Sequence, residues 1–101
     1  MLKVSLEGKG KIDNAVIFLE DPMEVFPFYL DPKSDTEWEL DDIPVSHDNE
    51  LDFSLHVQAY TGTGFTCVIT DKENDKTVSI EGVAGKKIKN YAHEKGTKEF
   101  E

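Results

Sequence analysis

The stretch LDFSLHVQAY, residues 51–60, alternates apolar and polar side chains without interruption. Leu51, Phe53, Leu55, Val57 and Ala59 share one face, and Asp52, Ser54, His56, Gln58 and Tyr60 share the other. Side chains alternate across a strand, so this period of two marks a β-strand buried on one side. Two more short runs follow at once. FTCVIT, residues 65–70, puts Phe65, Cys67 and Ile69 on one face, and KTVSIEG, residues 76–82, does the same with Val78 and Ile80.

Inward residues oppose inward residues in an antiparallel pair, because a slip of one residue turns every side chain over. Opposing Ile69 to Val78 and Cys67 to Ile80 leaves the four-residue loop Lys72-Glu73-Asn74-Asp75, with Thr70 facing Thr77 and Asp71 facing Lys76. The same rule applied upstream pairs Ala59 with Cys67 and Val57 with Ile69. That pairing predicts a three-residue hairpin loop, Gly62-Thr63-Gly64, with Gly64 at positive φ. Residues 51–81 thus read as a three-stranded meander. The glycines of YTGTGF, residues 60–65, serve the turn: a phosphate loop would carry a lysine after its last glycine and open a helix, whereas Phe65 opens a strand.

Upstream, LKVSL (2–6) directs Leu2, Val4 and Leu6 inward, and GKGK turns the chain into IDNAVIFLE (12–20). There Ala15-Val16-Ile17-Phe18-Leu19 is apolar on both faces, which predicts cover from VFPFYL (25–30) or from a second copy of the chain, hence a homodimer. Pro27 limits VFPFYL to an edge strand or a bulge, since proline donates nothing to a ladder. DTEWEL (35–40) alternates with Thr36, Trp38 and Leu40 on one side. DDIPVSHDNE (41–50) reads as a loop. Residues 82–101 are poor in large apolar side chains, offering only Ile88, Tyr91 and Phe100; one strand is expected near Lys86–Tyr91 and another near residue 101. The sum is an all-β chain of about seven or eight strands: one domain over residues 1–101, a small antiparallel β-sandwich, Ig-like or C2-like in outline.

Charge narrows the classes of partner. Twenty-one acids face eleven basic residues, all lysine, for a net charge of −10. Residues 1–50 hold thirteen acids and four lysines, and between Glu20 and Asp52 twelve acids meet only Lys33. Such a chain is repelled by nucleic acid and anionic membrane, and without arginine it has no bidentate fork for phosphate. No apolar run approaches the roughly 18 residues of a membrane helix, so membrane insertion is not expected. MLKVSLEGKGK has no apolar signal core, and the lone Cys67 excludes an internal disulfide; both point to a cytoplasmic protein.

Motifs that carry chemistry are missing. The serines lie outside G-x-S-x-G, His47, His56 and His93 are scattered along the sequence, and no C-x-x-C, H-x-x-x-H or H-E-x-x-H occurs. His56 falls on the outward face of its strand and Cys67 on the inward face of its own. The acidic segment supports two readings. In the first, a non-enzymatic interaction module steers a basic protein partner through Glu24, Asp35, Glu37, Glu39, Asp41 and Asp42. In the second, loop acids Asp31, Asp35, Asp41, Asp42, Asp48 and Glu50 hold calcium, which bridges to a carbohydrate or a lipid head group; otherwise no cofactor is expected. The loop DKEND (71–75) fails the EF-hand pattern, because Lys76 stands where that loop needs glycine. A small hydrolase is a third reading, which the abundance of acids leaves without a specific carboxylate pair.

Overall fold

The computed structural model describes residues 1–20 and 25–101, and the described residues hold nine strands and no helix. They are β1 (Leu2–Gly8), β2 (Ile12–Glu20), β3 (Val25–Tyr29), β4 (Asp31–Pro32), β5 (Glu37–Ile43), β6 (Glu50–Ala59), β7 (Gly64–Asp71), β8 (Lys76–Val83) and β9 (Tyr91–Glu99). One sheet runs β4-β5-β1-β7-β8 and the other β3-β2-β6-β9. Every paired neighbour is antiparallel. The chain is the all-β, two-sheet protein its alternation predicts, with nine strands rather than seven or eight.

Alternation builds the core. Leu2, Val4, Leu6, Phe65, Cys67, Ile69, Val78 and Ile80 point inward from the larger sheet. Ile17, Leu19, Leu51, Phe53, Leu55, Val57 and Ala59 meet them from the other. The β7–β8 hairpin has the register read from sequence, with Ile69 opposite Val78, Cys67 opposite Ile80 and Thr70 opposite Thr77. VFPFYL supplies the edge strand β3, with Pro27 opposite Phe18. It lies beside β2 and does not cover it, so Val16 and Phe18 are left half-buried on the outer face.

Three expectations are overturned. First, β6 does not pair with β7: the strands lie in different sheets, so residues 51–81 are not a meander. Ala59 and Cys67 are both fully buried, yet they meet the core from opposite sides. Matching inward faces is satisfied as well by two strands facing each other across a sandwich as by two strands in one ladder. Secondly, the positive φ belongs to Gly62 (95°) and not to Gly64. Thr63 N–H donates to Tyr60 C=O (2.9 Å), which closes a four-residue turn with Gly62 third, where a type II turn needs positive φ. The turn also docks sideways, through Gly62 N–H to Ala84 C=O (2.8 Å) and Ala84 N–H to Thr63 C=O (2.9 Å). A side chain at Gly62 would meet nothing within 4 Å, so only backbone strain opposes it. Gly62→Val should therefore cost about 1–3 kcal/mol, whereas Gly64→Ala, whose added carbon would lie 3.6 Å from the Lys9 side chain, should leave the melting temperature nearly unchanged.

Thirdly, two segments differ from expectation: residues 41–50, read as a loop, carry the end of one strand and the start of another, and the strand expected near Lys86–Tyr91 lies further on. β5 continues through Asp41 to Ile43, where a register shift in its pairing with β1 and a positive φ at Asp42 (54°) mark a bulge. The extra residue turns Ile43 inward, and Val45 follows it into the core. At the other end, residues 84–90 are turns and bends with one isolated bridge between Ile88 and Tyr91, and the strand is β9, paired with β6 along its whole length. Phe100 is buried just beyond it. Among the described residues no helix is long and apolar enough to cross a membrane.

Candidate functional site

Two surfaces gather polar chemistry, one on each sheet. The first is the β4–β5 edge of the five-stranded sheet. Asp31 lies on β4, Asp35 in the turn between the strands, and Glu37, Glu39, Asp41 and Asp42 on β5. A linear acidic run thus becomes one edge because a tight connection folds β4 back on β5. Glu24 lies outside the described residues. The pairing puts like charges directly opposite one another: Asp31 faces Glu39, and Glu37 faces Glu7 of β1. Opposed like charges destabilise a sheet. Two lysines offset part of this field. Lys72 reaches Asp41 (2.6 Å) and Asp42 (3.1 Å), and Lys3 stands 3.8 Å from Glu39. The Lys72 ammonium lowers the Asp41 pKa, with help from the Asp42 backbone N–H, and the same carboxylates raise the pKa of Lys72. All these groups are at the surface, where such pairs add little stability.

The calcium candidates do not converge. Asp31, Asp35, Asp41 and Asp42 are strung along the β4–β5 edge, with the last two already holding an ammonium. Asp48 and Glu50 belong to the approach to β6, where the Asp48 carboxylate accepts the Glu50 N–H (3.4 Å). Among the described residues no group of three or more His, Cys, Asp or Glu side chains is placed to hold one metal ion.

The second surface is the outer face of β2, β6 and β9. Register sets it row by row: Val16, His56 and His93 share one row, and Phe18, Ser54 and Lys95 the next. His56 faces outward, as its alternation predicts. His93 stacks on it, with ring centroids 4.2 Å apart and planes 14° from parallel. Ser54 Oγ lies 3.1 Å from His56 Nε2 and 2.7 Å from His93 Nε2, so both nitrogens approach the same oxygen. On the far side of the ring, His56 Nδ1 bonds the Tyr91 hydroxyl. Partial burial lowers the His56 pKa, and the neighbouring His93 lowers it further. The cluster opens onto a groove of about 450 Å³ that Phe18, Glu20, Asp52 and Lys95 also line.

Ser54 beside an imidazole has the outline of a nucleophile and its base. The oxyanion donors that acyl transfer needs are not supplied by β6, which is paired on both sides with its backbone N–H groups spent in ladders. Cys67 offers no alternative nucleophile, since burial pushes its thiol up to about 12.

A third cluster is structural. Alternation along β7 carries Asp71 inward after Phe65, Cys67 and Ile69, and it is buried at 2% exposure. The register opposite Lys76 is as expected, yet the carboxylate turns away from that lysine. It accepts hydrogen bonds from the Asn74 side chain (2.8 Å), the backbone N–H groups of Glu73 (3.2 Å) and Asn74 (3.3 Å), and His47 Nε2 (2.7 Å). His47 Nδ1 accepts the Asn49 N–H (3.0 Å), so its proton sits on Nε2 and points at Asp71. The ring also stacks on Phe100, centroids 4.2 Å apart.

No protein-family model, curated protein or solved structure matches the chain.

Proposed function

We propose that the chain is a non-catalytic binding module whose β4–β5 edge takes a basic protein partner. The observation that carries this reading is the pair of opposed like charges, Asp31 against Glu39 and Glu37 against Glu7. That arrangement works against folding and is relieved when a cationic surface lies over it. Solubility alone would be served by acids dispersed between strands. Electrostatic steering of this kind acts on association rate more than on dissociation.

The test uses a lysine-rich peptide and two variants of equal charge. Asp35→Asn with Glu37→Gln alters the edge, and Asp13→Asn with Glu99→Gln removes the same two charges from β2 and β9. At about 0.01 M salt the field extends about 30 Å, and near 1 M only about 3 Å. At low salt the edge variant should associate roughly tenfold more slowly than wild type, the lower end of what steering supplies. The control should change little, and Glu37→Gln alone should raise the melting temperature slightly. Equal slowing by both variants would show that net charge, and no particular edge, governs capture.

The alternative, calcium bridging the same acids to a carbohydrate or lipid head group, predicts a higher melting temperature in millimolar calcium. A chain acting by edge charge alone shows no such rise. Self-association over the half-buried Val16 and Phe18 is a separate proposal, rejected by a monomeric mass in light scattering at high micromolar concentration.

A further inference from the structure

We propose that His56 and His93 form a two-imidazole site for a borderline transition-metal ion, such as Zn²⁺ or Ni²⁺, on the outer face of β6 and β9. The proposal is independent of the acidic edge, which lies on the other sheet.

Three features carry it. The two histidines are direct cross-strand partners, so their positions are fixed by the ladder and not by a loop. Both Nε2 atoms approach one point, now occupied by the Ser54 hydroxyl at 3.1 and 2.7 Å. The remaining ring nitrogen of His56 is already held by Tyr91. A ligating histidine characteristically gives its other N–H to an outer partner, which fixes the tautomer and aims the lone pair. In the tautomer whose Nδ1–H donates to the Tyr91 oxygen, His56 Nε2 is left bare for a metal, and His93 frees its own Nε2 by giving up its bond to Ser54 and moving its proton to Nδ1.

The donor type selects the metal. Imidazole nitrogen suits zinc, nickel and copper, whereas calcium and magnesium require oxygen. Two protein ligands leave coordination positions for the Ser54 hydroxyl, for water or for a group carried by a ligand in the groove. The rings are now near parallel, 14° apart, so binding requires the His93 ring to rotate until its lone pair converges on that of His56, which Tyr91 holds in place. The groove of about 450 Å³ in front of them leaves room for that movement. Glu20 and Asp52 on its wall favour a cation and Lys95 opposes one, so the local charge does not forbid it.

His47 supplies an internal control, because its nitrogens are committed to Asp71 and Asn49. The experiment is a titration of the intact chain with Zn²⁺ and with Ni²⁺, by calorimetry and by NMR of the imidazole resonances. One ion per chain should bind saturably and shift the His56 and His93 signals, leaving His47 unmoved. His56→Gln and His93→Gln should each abolish binding, and Tyr91→Phe should weaken it about tenfold. His47→Gln, provided its circular dichroism shows a folded chain, should bind as wild type does, and Ca²⁺ should shift nothing. Absence of saturable binding, or binding that survives loss of both histidines, overturns the site. Should a glutamine variant fail to fold, the wild-type NMR titration still decides: shifts centred away from His56 and His93 overturn it equally.

Discussion

Replacing Asp71 with alanine should lower the unfolding free energy by about 3–5 kcal/mol, the loss seen when one partner of a buried charged network is removed. For a domain whose total stability is of order 5–15 kcal/mol, that is a large share. The carboxylate is 2% exposed and ties together three segments: its own strand end, the β7–β8 loop through Glu73 and Asn74, and the approach to β6 through His47. Alanine leaves His47 Nε2–H and the loop amides without their acceptor. Asp71→Asn keeps the shape and one acceptor oxygen but turns an NH₂ toward donors, so it should cost less than alanine and more than nothing, about 1–3 kcal/mol. Chemical denaturation of the three proteins, with m-values compared, checks the order.

The same residue sets a pH signature. The Asn74 side-chain amide, with His47 and the backbone N–H groups of Asn74 and Glu73, holds the Asp71 carboxyl far below its ordinary range, against the opposing effect of burial. Because the folded-state pKa is depressed, the unfolded chain binds the proton more readily. The contribution is complete above the unfolded-state value of about 3.9 and is lost as pH falls below it toward the folded value. The stability gap between wild type and Asp71→Ala should stay constant from pH 7 down to about pH 5 and narrow below about pH 4. A gap that is flat through pH 3 would place the stabilisation elsewhere.

Much of this architecture is legible in the chain because alternation reports which face a residue takes. It does not report which strand lies alongside. β7 and β8 pair across their four-residue loop, and their register follows from Ile69, Val78, Cys67 and Ile80. β6 and β7 are joined by four residues as well, yet that connection crosses between sheets, held by Ala84, a residue more than twenty positions away, so loop length does not decide the partner. β9 hides for another reason: as an edge strand it carries Ala92 and Gly96 where a central strand would carry large apolar groups, and Phe53 fills the space over Gly96. Alternation places neither the span of β9 nor its pairing with β6, so His93 has no assigned neighbour and the imidazole pair is invisible although His56 is turned outward. Asp71 is within reach of the pattern. The inward series Phe65, Cys67, Ile69 continues to it, and only its charge argues for the surface. The acidic edge is legible as a run of residues, but the opposition of Glu37 to Glu7 depends on β1 pairing with β5 across some thirty positions.

Phe100→Ala should also destabilise by about 3–5 kcal/mol, the usual range for truncating a buried phenylalanine. Phe100 is 3% exposed, stacks on His47, and its N–H donates to Asn49 C=O (2.9 Å). Asn49 in turn gives its own N–H to His47 Nδ1. Phe100 and Asp71 therefore grip the same imidazole, one by its face and one by its edge. Residues that share a partner do not contribute independently. Once Asp71 is gone, His47 has lost the bond that orients it, and removing Phe100 then releases a ring already loosened. The double variant Asp71→Ala/Phe100→Ala should lose less than the sum of the two single losses, by roughly 1–2 kcal/mol, within the range measured for coupled neighbours. A control cycle pairs Asp71→Ala with Ala59→Gly, on the far reach of β6, and should be additive to within about 0.5 kcal/mol. Additivity in the first cycle would mean that Asp71 and Phe100 stabilise separate parts of the sandwich and that His47 does not join them.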